Sequence, residues 1–343
     1  MAEHESIQFR PGKRFGNWSI SDKLDEGGFG QVYIVTRKEK ATNKILKAAL
    51  KAESNAVDGG SAIKLEIQVL QALQEDGEKP HIPFVYHAAK HTGFCYMIMT
   101  LLGPNFKGLK SGRKDEKLTV NTWIRLAIQC LYSLKVLHDY GYVHRDIKPN
   151  NFVMGEKTDP ERARCVFILD FGQSRSYAFK LHGGLPWQTT REKNKIEMMK
   201  CHMQDSDLTQ NMPRELRSII PDLRKLDYYS RPDYLDIYKK MVAVMKRKNI
   251  KNDDPYDWEE AGKILKPSKP PAWHDAEAFF ASDPVKIAEA PNKADKATLN
   301  KYLSELKTMT LDGSASKQSK DDDETKPDKD KEASKMATPS KQK

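Results

Sequence analysis

The chain has 343 residues, a formal net charge of +10 and four cysteines. Roughly 100–200 residues per domain allows one large domain or two ordinary ones. Cys95, Cys130, Cys165 and Cys201 are 35 or 36 residues apart, which excludes a disulfide scaffold and a closely spaced cysteine metal site. With glycine counted in place of tyrosine, apolar residues make up about 40%, below the roughly 45–50% of an average soluble domain. Part of the chain is therefore expected to lie outside any folded core.

In chain order, residues 18–36 (WSISDKLDEGGFGQVYIVT) predict two short strands around a glycine turn, and residues 44–53 (KILKAALKAE) a third strand. Ser61 is expected to cap a helix of about 15 residues with Ile63, Ile67, Leu70 and Leu73 on one face. Phe94 to Leu102 predicts a buried strand ending at Gly103-Pro104. At nine residues it is the longest apolar run, far short of the ~20 of a membrane span. Trp123, Leu126, Ala127, Cys130, Leu131, Leu134 and Leu137 repeat at helical spacing over 121–140, with Gly141 as the stop. Phe167-Ile168-Leu169 predicts a short strand before Asp170, and beyond residue 185 the pattern is mostly helical. Strands first and helices after imply an α+β fold with a small sheet-rich lobe and a larger helical one.

The first residues, MAEHESIQFRPGKR, lack the apolar stretch of a secretory signal. A reducing compartment, cytoplasm or nucleus, is expected, without a membrane partner. Residues 312–343 carry eight lysines, eight acidic residues, three alanines and one methionine. That composition cannot offset the entropy of ordering, so a disordered tail is expected. The +10 then belongs to residues 1–311, and a basic body suits acidic partners. MKRKNIK at 245–251 is the densest basic cluster, but it has no interleaved aromatic residue, so no nucleic-acid partner is expected.

Four features carry chemistry. DEGGFGQVY, Asp25 to Tyr33, is a glycine turn whose backbone N–H groups can approach phosphate oxygens without a Cβ in the way. Taken alone it is better read as a tight hairpin with no ligand. Lys51 lies on an otherwise apolar strand, and Glu66 falls on the apolar face of the following helix. A carboxylate placed there needs a cationic partner. HRDIKPNN, His144 to Asn151, precedes ILDFG, Ile168 to Gly172. In that order, Asp146 suits proton acceptance from a hydroxyl, Lys148 neutralises charge on a transferred phosphoryl group, and Asn151 and Asp170 offer oxygen ligands to Mg²⁺.

These motifs resemble the eukaryotic protein kinases. LLGPNF at 101–106, NNFVMG at 150–155, GGLPWQ at 183–188 and YYSRPDYLDIY at 228–238 are similar to the casein kinase 1 superfamily and its tau-tubulin kinase branch. The resemblance covers about residues 18–250. It implies a bilobal kinase fold in this order: an N-terminal extension (1–17), an N-lobe (18–102), a C-lobe (103–250), a helical or irregular extension (251–311) and the tail (312–343). It further implies a Ser/Thr kinase that moves the ATP γ-phosphoryl group, a monomer acting on acidic or pre-phosphorylated protein. Lys51, Glu66, Asp146 and Lys148 would be catalytic, and Asn151 and Asp170 would hold Mg²⁺. ATP would lie against Glu26, Gly27, Gly28, Gly30, Val32, Ala49, Lys51, Met99, Thr100, Leu101 and Leu102, with Met99 at the back of the adenine pocket.

The chain departs from the family in three places. Asp25 stands where the glycine loop has its first glycine, and AALK replaces the commoner VAIK. Most importantly, only 12 residues, Gln173 to Gly184, separate DFG from LPW, where the family has several tens more. The activation segment and the core helix after it are expected to be missing, with the junction near Phe179–Leu181. Weak or absent phosphotransfer follows, and the alternative function is a nucleotide-binding pseudokinase or scaffold.

Overall fold

Ala48, Leu50 and Ala52 alternate with Ala49, Lys51 and Glu53, so one strand must present two chemically different faces. That alternation organises the smaller lobe. The structure is a computed structural model that describes residues 8–27, 30–40, 42–55, 62–113, 115–176, 204–226, 230–259 and 275–283. Its first sheet comprises β1 (Arg14–Phe15), β2 (Trp18–Gly27), β3 (Gly30–Lys38), β4 (Ile45–Ser54), β5 (Val85–Lys90) and β6 (Phe94–Thr100). The strands pair antiparallel in the order β1-β2-β3-β4-β6-β5. Helix α1 (Ala62–Leu73) covers one face through Ile63, Val69, Leu70 and Leu73.

The other face carries Tyr33, Val35, Leu50 and Ile98, and a bare apolar face must be covered. Residues ahead of Trp18 do this. Phe15 and Trp18 are buried there and Phe9 packs against them. The Phe9 N–H donates to the Tyr33 hydroxyl at 3.1 Å, and Arg14 and Phe15 pair with β2. Within the N-terminal extension expected over 1–17, Phe9, Arg14 and Phe15 thus pack on or pair with this sheet.

The predicted strand over 94–102 is divided. It leaves the first sheet after Thr100 and resumes as β7 (Leu102–Asn105) in a second sheet. Gly103 allows this crossing, because a Cβ there would lie 2.7 Å from the Gly155 carbonyl oxygen. Asn105 then caps α2 (Phe106–Ser111), accepting the Gly108 N–H at 2.8 Å.

Helix α3 (Val120–Asp139), capped by Thr119, is the axis of the larger lobe. Leu126, Leu131 and Leu137 are buried as the spacing predicts, but so are Ile124, Ile128, Tyr132 and Val136. Trp123, Ala127, Cys130 and Leu134 are only half-buried. The helix is flanked on more than one side, which a single amphipathic stripe does not anticipate. After β8 (Tyr142–Val143), a hairpin of β9 (Phe152–Gly155) and β10 (Val166–Ile168) joins β7 in the order β10-β9-β7. β11 (Arg175–Ser176) pairs with β8.

Further on come α4 (Asp205–Thr209), α5 (Ile219–Arg224), α6 (Tyr234–Lys248) and α7 (Ala276–Ala281). Phe279 stacks on Tyr132 at 4.0 Å and Phe280 on Tyr238 at 4.6 Å. Part of the predicted 251–311 extension therefore packs on the lobe itself. Gly28, Ser61, Cys201, the 179–181 junction, residues 284–311 and the tail lie outside the described residues. Among the described residues no helix is long and apolar enough to cross a membrane.

Candidate active site

Two local devices place the charged residues. The first is the register of β4. Its odd positions face α1, so Lys51 Nζ meets Glu66 Oε2 at 2.5 Å. Glu66 is only 1% exposed. Burial by itself would lower the Lys51 ammonium, but the Glu66 carboxylate outweighs it and holds the lysine above its ordinary value. Asp170 and Glu53 add to that field.

The second device is the β9–β10 hairpin. Asn151 directly precedes β9 and Leu169 directly follows β10, so antiparallel pairing sets them opposite each other. The Leu169 N–H donates to the Asn151 carbonyl at 2.8 Å. Asp170, the next residue, turns sharply with φ 68 and ψ 67. A non-glycine residue in the left-handed region is strained, and such residues collect at functional sites. Arg145 is the second one here, with φ 68.

Between these points lies Asp146. Its Oδ2 accepts from Lys148 Nζ at 2.6 Å and from Asn151 Nδ2 at 3.0 Å. Burial would raise its carboxyl, and the two hydrogen bonds override this and hold it below the ordinary carboxylate value. Asn151 Nδ2 also donates to the Asp146 carbonyl at 2.8 Å. Both partners are acceptors, which fixes the amide orientation and leaves Oδ1 as the oxygen available to a cation. His144 ties the two devices together. Its Nε2 lies 2.9 Å from the Leu169 carbonyl, so this nitrogen carries the proton, and Nδ1 accepts the Asp146 N–H at 3.3 Å. Burial lowers its pKa and favours that neutral form. The ring packs on buried Phe171 at 5.2 Å.

The residues expected around ATP divide into groups. Val32, Ala49 and Met99 lie on the α1-facing side of the sheet, with Ala49 paired to Met99. Glu26 and Gly27 end β2, and Gly30 opens β3. Gly30 has a packing reason of its own: at φ +126 an added Cβ would lie 2.2 Å from the Ala52 carbonyl oxygen. Asp25 is exposed. Leu101 and Leu102 are half-buried where the chain changes sheets. Thr100 is engaged within the fold: its hydroxyl accepts the Phe84 N–H at 2.9 Å and its own N–H donates to the Phe84 carbonyl.

Among the described residues no three His, Cys, Asp or Glu side chains form a metal cluster. Mg²⁺ does not need one, since one or two carboxylates plus substrate phosphates suffice. The Asp170 carboxylate with Asn151 Oδ1 fits that donor set. Two positions outside the sequence-derived candidates also belong to this region: His144, and Glu53, which lies two residues after Lys51 on the same strand face.

The family model of the protein kinase domain matches residues 18–182. The inactive tau-tubulin kinase ttbk-6 of Caenorhabditis elegans is 30% identical over 287 residues, covering 67% of this chain and 98% of the relative. This chain belongs to the protein kinase family. Its place is in the casein kinase 1 and tau-tubulin kinase branch. The putative serine/threonine-protein kinase K06H7.1 of the same nematode is 31% identical over 300 residues, covering 74% and 84%. Its putative casein kinase I C03C10.2 is 26% identical over 308 residues, covering 76% and 88%. The family match stops at residue 182, beside the junction that the sequence places at 179–181. In the ttbk-6 comparison, 67% of this chain is about 230 residues, so roughly 57 of the 287 aligned positions have no counterpart in it.

Proposed function

We propose that this kinase-family chain holds Mg²⁺-ATP between its lobes and transfers the γ-phosphoryl group to Ser or Thr hydroxyls of acidic protein segments. We further propose a turnover far below that of a full-length relative. The observation that carries the reading is the concurrence of the Lys51–Glu66 pair with Asp146, Asn151 and Asp170 around one hairpin. Lys51 holds the nucleotide phosphates, and Glu66 keeps it extended. Asn151 and Asp170 hold the metal, which when bound neutralises phosphate charge. Asp146 orients the attacking hydroxyl and takes its proton. Lys148 balances charge on the transferring group. Val32, Ala49 and Met99 wall the base, and Thr100 contributes backbone only. The net charge of +10 favours acidic substrates.

The low turnover rests on the 12 residues between DFG and LPW, too few for a substrate-seating segment. Displacements of about 1 Å already cost catalysis heavily. The relative named inactive favours a second reading, nucleotide binding without transfer. Thermal shift with Mg²⁺-ATP tests binding: the wild type should be stabilised, and Lys51→Met and Asp170→Asn should not. Single-turnover labelling of an acidic Ser peptide, with Asp146→Asn as control, then decides between the readings. Slow, Asp146-dependent transfer supports the first, a shift without transfer the second, and no shift at millimolar nucleotide overturns both.

A further inference from the structure

Residues 62 and 63 open α1, and the first four N–H groups of any helix lack partners within it. Here two of them are met from another element. The Glu53 carboxylate accepts the Ala62 N–H at 3.1 Å on one oxygen and the Ile63 N–H at 2.9 Å on the other. Glu53 is 3% exposed, so these bonds form away from water, where an unpaired carboxylate would be costly. The negative charge also lies at the positive end of the helix.

The strand period links this to the reacting region. Lys51 and Glu53 point from β4 toward α1, while Ala52 between them is buried on the other face. β4 therefore grips α1 twice: Glu53 at its first turn and Lys51 at Glu66, one turn later. The same first turn touches the Asp170 loop, since an added Cβ on Gly172 would lie 3.0 Å from the Ala62 Cβ. A shift of Ala62 would move both Glu66 and the seat of Gly172.

We infer that Glu53 is a positioning residue for nucleotide binding: it anchors the first turn of α1 so that Glu66 meets Lys51 and Gly172 rests beside Asp170. This rests on the proposed Mg²⁺-ATP site. It assigns to Glu53 no contact with nucleotide or metal.

The test is a cycle of Glu53→Gln and Glu66→Gln in the full chain, read by Mg²⁺-ATP titration and by amide exchange. Gln keeps the shape of Glu53 but turns an N–H₂ toward one of the two helix N–H groups. Glu53→Gln should weaken Mg²⁺-ATP binding about tenfold alone and less than about twofold in the Glu66→Gln background, as coupled groups do. Amide exchange should quicken at 62–66 and stay unchanged at 69–73. Glu53→Asp keeps the charge with a shorter reach, and it should recover part of both effects. It serves as the working variant if Glu53→Gln does not fold. Equal loss of affinity in both backgrounds, or unchanged exchange at 62–66, would overturn the inference. If the wild type does not bind Mg²⁺-ATP, the functional reading fails, and the exchange data alone decide whether Glu53 anchors the helix.

Discussion

The candidate site and the helix packing around α3 hold their charges in different ways. In the first, ionic groups are placed by strand register and hairpin pairing: Lys51 by β4, Asn151 and Asp170 by β9 and β10. In the second, polar groups knit helices together. Lys135, fully buried, bonds Asp139 at 2.7 Å and the Ser282 hydroxyl at 3.0 Å. Arg231 pairs with Asp139 and, at 3.2 Å, with Asp283. Register resists local loss, because each pair is held by its neighbours along the ladder. A network of buried ions depends on every member.

The sharpest break in that comparison is Asp139→Ala. It strands Lys135 and Arg231 together, and removing one partner of a buried pair costs about 3–5 kcal/mol. Urea unfolding should show a loss of that size, while any nucleotide-induced shift at fixed folded fraction is retained.

Acid is the next largest lever. Burial lowers His81 from 6.5 to about 4, so the native ring stays neutral and donates Nδ1–H to the Val166 carbonyl at 2.6 Å. The unfolded chain binds a proton below 6.5 that the native state refuses. This stability is complete above pH 6.5 and is lost as pH falls through 4, a difference of roughly 3 kcal/mol. His138, also at about 4, acts in the same direction. His81→Gln should flatten the fall between pH 7 and 4, leaving the His138 share.

Gly30→Ala should cost about 1–3 kcal/mol, from backbone strain and the clash with the Ala52 carbonyl. It should also shift β2–β4 amide exchange more than that of α6. The smallest effect is Lys225→Ala, which removes an exposed pair with Asp222 and should leave the unfolding midpoint unchanged.

Much of the site was legible because its residues are close in sequence or periodic. Glu66 on an apolar helical face demanded a cation, and the nearest strand supplied Lys51. Asp146, Lys148 and Asn151 share one short loop. Glu53 was not legible. Its partners are backbone N–H groups of Ala62 and Ile63, and only the packing of α1 on β4 brings them within reach. Thr100 reads as a residue beside ATP, but its hydrogen bonds to Phe84 depend on how residues 84 and 85 meet β6. The packing of Phe9 and Phe15, within the expected extension over 1–17, was not legible either, because nothing local says that the far face of the sheet is bare.

The sequence by itself determined the family, the order of strands and helices, the candidate site residues and the shortened stretch after DFG. Those are properties of spacing and residue type along one dimension. Tertiary structure alone decided which strand face meets α1, which aromatic residues close the opposite face, and how Lys135, Asp139, Arg231 and Asp283 share charge. Those depend on distances between residues far apart in the chain, where burial raises the cost of an unpaired group and so selects the partner.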